Sequence, residues 1–101
     1  MATIWTGQDT TLRMTATDED GGPANPSGVV FRVKDPAGTV SVYEWGVDDE
    51  VEETTVGTAY DLTVDMPTSG RWIVRGEVLN VYDAVISVIE ESVLVLASEV
   101  V

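Results

Sequence analysis

Apolar and polar residues alternate along most of this chain. In "TTLRMTAT", Leu12, Met14 and Ala16 fall on one side, while Thr11, Arg13, Thr15 and Thr17 fall on the other. A period of two predicts a half-buried strand. The pattern recurs in "VVFRVK", with Val29, Phe31 and Val33 inward and Arg32 and Lys34 outward. It returns in "TVSVYEW" and in "TAYDLTVDM", where Tyr60, Leu62, Val64 and Met66 share the inward side. Three of the intervening stretches read as connections. "DEDGGPANPSG" is rich in Gly, Pro and acid and predicts a loop. "DPAG", Asp35 to Gly38, predicts a turn with Pro36 presetting φ, and "NVYD" at 80–83 predicts another.

Between Asp65 and Val78 the chain reads "DMPTSGRWIVRGEV". Pro67 cannot donate to a ladder, so the strand ends there. Gly70 is free of Cβ constraint and suits the turn. Trp72, Val74 and Val78 then return on one face, with Gly76 between them, so the turn delivers Trp72 to the layer of Val64 and Met66. Two stretches are harder to read. "GVDDEVEETTVG" carries too many carboxylates for a central strand and predicts a loop with at most a short edge strand. "AVISVIEESVLVLASEVV" is an unusually long apolar run in which Glu90, Glu91 and Ser92 predict either a bulge or a split into two strands. No helix is predicted. The six to eight short strands, with turn signals about every ten residues, predict an antiparallel β-sandwich or a small closed barrel.

At 101 residues the chain is expected to form one domain over 1–101, with 98–101 as an extended C-terminal segment. Cys is absent, so packing rather than disulfides must hold it together. Eighteen acidic residues face five basic ones, for a net charge of −13. That balance argues against nucleic acid and anionic membranes as partners and favours solubility, with docking on a basic surface as the sharper reading. The first ten residues lack the basic and apolar regions of a signal peptide, which predicts synthesis in the cytoplasm.

Candidate chemistry is sparse. With neither His nor Cys, Ser–His and Cys–His nucleophilic systems are impossible, and the commonest metal ligand is missing. No phosphate-binding Gly loop is present, and no cofactor is expected. Two acidic clusters, Asp18–Glu19–Asp20 and Asp48, Asp49, Glu50, Glu52 and Glu53, lack the spacing of a calcium loop and read as solvated loops. No catalytic or metal residue is assigned, and the chain reads as non-enzymatic. Contact residues are the remaining candidates. Tyr43 and Trp45 lie opposite Val40 and Val42, so one pair faces the core and the other faces a partner or further chain. Trp5 raises the same question. The tail "VLVLASEVV", ending in Val100 and Val101, is apolar on both faces and suits a central strand or pairing with a neighbour.

Resemblance adds a biological setting. The short strand ending in "WTG", then "TLRMTATDEDGGP", "VVFRVKDPAGT" and "YDLTVDMPTSGRWIVR", resembles the small immunoglobulin-like proteins of tailed bacteriophages and prophages over about residues 4–97. The resemblance implies one immunoglobulin-like antiparallel sandwich of about seven strands without a disulfide. It also implies a structural virion protein: a capsid decoration or cement protein, or else a neck or tail accessory with weak affinity for host-surface glycans. The implied partners are capsid or other virion proteins, with homo-oligomers on the particle hiding Trp5, Tyr43, Trp45, Val100 or Val101. The implied location is the virion. The family supplies no catalytic residue to carry over.

Overall fold

The computed structural model describes residues 2–6, 9–15, 26–80 and 85–97. They form eight strands: β1 (Ala2–Trp5), β2 (Asp9–Thr15), β3 (Gly28–Lys34), β4 (Val40–Glu44), β5 (Val51–Thr55), β6 (Ala59–Asp65), β7 (Gly70–Leu79) and β8 (Val85–Leu96). There is no helix among the described residues, so none there is long and apolar enough to cross a membrane. The strands build two sheets, one of five in the order β1-β8-β7-β3-β4 and one of three in the order β2-β6-β5. Consecutive strands change sheet at β1–β2, β2–β3, β4–β5 and β6–β7. This is an immunoglobulin-like sandwich whose larger sheet carries extra edge strands.

The inward set predicted from alternation fills the space between the sheets. Phe31, Tyr60, Met14, Leu62 and Met66 are fully buried, as are Val29, Val74 and Val78. Burying a side chain of this kind contributes roughly 1.5–3 kcal/mol. Trp72 belongs to the same cluster as Val64 and Met66, reached from the opposite sheet. Its indole N–H donates to the Thr68 carbonyl at 2.8 Å, so the turn that delivers the ring also satisfies its polar edge. Gly70 sits at φ 128°, and a Cβ there would lie 2.8 Å from Pro36. At Gly76 a Cβ would meet Met14 Sδ at 2.7 Å and Phe31 at 3.1 Å, so this glycine makes the room in which Met14 packs.

Two expectations are corrected and one is met. β1 pairs with β8 in parallel, so the sandwich is not wholly antiparallel. The described strands number eight, within the expected six to eight, and "VEETT" forms β5, the short edge strand its sequence allowed, on β6 with buried Val51 opposite Leu62. Finally, β8 neither splits nor bulges at Glu90–Ser92: pairing with β7 runs unbroken from Val95 to Ser87, and the register shifts only beyond Val78. The acids are accommodated instead. Glu90 points outward opposite Arg75, 3.7 Å away, and Glu91 points inward level with Val74. Among the described residues β1 pairs with β8 from Val93 to Leu96, and Glu91 lies outside that pairing. Ala16, the loop 16–25, "NVYD" beyond Asn80 and the tail 98–101 lie outside the described residues.

Candidate functional site

Alternation that drives Phe31, Val74 and Val93 inward drives their neighbours out. The outer face of the five-stranded sheet therefore follows from register. Three rows cross it: Val88–Glu77–Val30–Glu44, Glu90–Arg75–Arg32–Val42, and Ser92–Ile73–Lys34–Val40. Arg71 lies beyond them, opposite Leu94. Four of the chain's five basic residues thus gather on one face, with three carboxylates among them. Glu77, buried to 9% exposure, is the hub. Its carboxylate forms an ion pair with Arg32 at 3.0 Å and lies 3.9 Å from Arg75. Arg71 donates to the Ser92 hydroxyl at 3.0 Å. Large apolar side chains stand exposed around these ions: Val40 at 52%, Val42 at 48%, Val88 at 41% and Trp5 at 49%.

The other half of the molecule is acidic. The three-stranded sheet and the β4–β5 connection present Asp48, Asp49, Glu50, Glu52, Asp61 and Asp65 with one cation, Arg13. Arg13 grips Asp61 through two hydrogen bonds of 2.8 and 3.0 Å, which raise its already high pKa.

Trp5 lies on the outer face, level with Leu96. Tyr43 and Trp45 face the other way. Both are half-buried and pack on the core, and Trp45 meets Tyr60 edge-on at 5.0 Å and 61°. Val40 and Val42 are the pair that looks outward. Val100 and Val101 lie outside the described residues. What sequence reasoning missed is the outward β4 valines, Val88 and the convergence of the cations. Arg32 and Lys34 were visible as outward positions, but nothing in one sequence places β7 beside β3.

Beside Trp45 an open groove of about 380 Å³ is lined by Val47, Asp48, Asp49, Glu52 and Glu53. Two of these acids hold the chain's own turns. Asp48 accepts from the Glu44 N–H at 2.8 Å, and Glu53 accepts from the Gly57 N–H and the Tyr60 hydroxyl at 3.0 and 3.1 Å. Burial, and then this bond to Glu53, push the Tyr60 phenol up to about 12. Among the described residues no group of three acids is placed to hold a metal ion, and the 18–20 cluster lies outside them.

No family model and no curated protein matches the sequence. Among solved structures, the chain is similar to a Bacteroides vulgatus protein described as a glycoside hydrolase, with a TM-score of 0.62 and 8% identity. The match covers 99% of this chain and 17% of that one. At such identity the likeness concerns the fold alone.

Proposed function

We propose that this chain is a non-enzymatic structural protein of a tailed-phage particle, a capsid decoration protein that assembles by protein–protein contact. One observation carries the reading. The exposed apolar side chains Val40, Val42 and Val88 stand among four of five cations on one sheet face of a molecule with net charge −13. Arg32, Arg75, Glu77 and Glu90 already pair with one another, so the centre of the face can lose water at less cost than a patch of unpaired charge. The phage setting comes from the sequence resemblance.

Antibody-gold labelling of intact particles tests it, with gold expected over the head. Particles that carry none of this chain, by labelling and by mass spectrometry, would refute the proposal. In particles assembled with Val42→Glu, occupancy is expected to fall at least tenfold, because a hydrated carboxylate would replace an apolar side chain in the contact. The groove beside Trp45 favours a second reading, a neck or tail module with weak glycan affinity. It predicts gold at the neck or tail and binding on a glycan array that Trp45→Ala abolishes.

A further inference from the structure

We infer that β4 pairs edge to edge with β4 of a second copy, antiparallel, about a two-fold axis at Ser41. The inference builds on the assembly reading above and names what covers Val40 and Val42. Among the described residues β4 is the outer strand of the five-stranded sheet. An antiparallel ladder bonds alternate residues. The Trp45 N–H donates to the Val29 carbonyl and the Asp35 N–H to the Thr39 carbonyl, each at 3.0 Å. Thr39, Ser41, Tyr43 and Trp45 therefore turn their backbone groups toward β3, and Val40, Val42 and Glu44 turn theirs away. Glu44 is already served: its N–H donates to Asp48 at 2.8 Å, and its carbonyl accepts from Val47 and Asp48. Among the described residues of β4, Val40 and Val42 alone keep a free N–H and a free carbonyl on the open side.

This set matches itself in one register. With the axis at Ser41, Val40 of each copy lies opposite Val42 of the other. Each such pair exchanges two N–H···O bonds, so every free group finds a partner. An axis at Val42 would call on Glu44, whose groups are taken. An axis at Val40 would call on Gly38, whose N–H already donates to the Asp35 carbonyl. Side chains agree with the backbone. On the outer face Val40 and Val42, 52% and 48% exposed, meet as two reciprocal apolar pairs. Ser41 meets its counterpart and Tyr43 lies opposite Thr39. Glu44 falls opposite Gly38, so no like charges face each other across the new ladder. β4 also lacks the usual protection of an edge: it has no Pro, no Lys and no bulge against β3. Reciprocal contacts of this kind define an isologous interface.

Scale sets the strength. Five residues at about 3.3 Å, one sheet about 10 Å thick, give a projection on the order of 170 Å². That is well below the roughly 800 Å² per partner of a standard interface. Two copies at −13 also repel. Free chains therefore pair weakly, and better in high salt. Copies held side by side on a particle meet at effective concentrations on the order of millimolar, where the same contact forms.

The test is amide hydrogen exchange, read residue by residue by NMR on the purified chain at about 0.02 and about 1 mM in about 0.5 M NaCl. Exchange at Val40 and Val42 is expected to slow at least about threefold at the higher concentration, as two-thirds of the chains pair. Ser41 and Tyr43, already bonded to β3, are expected to stay unchanged. Val42→Pro removes one donor of the set without touching the β3 ladder, and should abolish the slowing at Val40. Val40→Lys sets a charge among the valines and should abolish it at Val42; it decides the matter if circular dichroism shows the Pro variant unfolded. Val88→Lys, on the same outer face but three strands from β4, should leave the slowing intact. Exchange that ignores concentration, slowing that survives Val42→Pro in a folded chain or Val40→Lys, or slowing lost in Val88→Lys overturns the inference. If exchange ignores concentration while Val42→Glu still strips the chain from particles, the edge binds a different virion protein and the assembly reading survives. If the edge pairs as described but no particle contains the chain, the pairing stands and the virion reading falls.

Discussion

Gly76 shows how much one missing methyl can decide. Its neighbours Met14, Phe31 and Ile89 close to between 2.7 and 3.2 Å of where a Cβ would sit. Gly76→Ala is expected to destabilise the fold by about 1–3 kcal/mol, measured by urea unfolding. Met14 is the closest of the three, so the cost should shrink when Met14 is shortened. The double variant Gly76→Ala/Met14→Ala should therefore lose at least about 0.5 kcal/mol less than the sum of its singles. Tyr60 makes a different prediction. Its phenol is pushed up to about 12 in the folded protein, above the ordinary value near 10. The folded state therefore holds the proton more tightly. The resulting stabilisation is complete below about pH 10 and is lost as pH rises through about 12. Urea midpoints taken from pH 9 to 12 should fall, and Tyr60→Phe should fall less steeply.

Most strands could be read from alternation alone, because each had to bury one face. Leu12 and Met14, Val29 to Val33, Tyr60 to Met66 and Trp72 to Val78 all point as their spacing requires. Failures came where a residue's neighbour is distant in sequence. Glu90 looked like an interruption because Arg75 was not known to lie opposite it. The parallel partner of β1 was equally invisible. Tyr43 and Trp45 could be paired by period but not aimed, since the inward side of β4 depends on the sheet above it, where Tyr60 waits. At β7 the turn chemistry was legible in full: Pro67 stops the ladder and Gly70 takes a positive φ against Pro36. Gly70→Ala adds a strained backbone to a clash with a rigid ring, and should cost about 1–3 kcal/mol in a thermal melt.

For the whole molecule, charge works against compactness. A net −13 with acids concentrated on one sheet and its connections makes the folded state repel itself. Raising NaCl from about 0.02 to 0.5 M shortens the screening length from about 20 Å to about 4 Å and should raise the thermal midpoint. Relief of about 1 kcal/mol corresponds to roughly 4–8 °C in a protein of this size. The candidate docking face could not be seen in composition, which reports only excess acid; it emerges when topology sets β3, β7 and β8 side by side. The same topology has a mechanical side. β1 and β8 run parallel over the four pairs from Ala2–Val93 to Trp5–Leu96. Tension applied beyond the start of β1 and the end of β8 pulls those strands in opposite directions along a common line. Their hydrogen bonds must then shear together, whereas strands pulled from the same end would unzip one bond at a time. A fold closed in this way resists stretching from its ends.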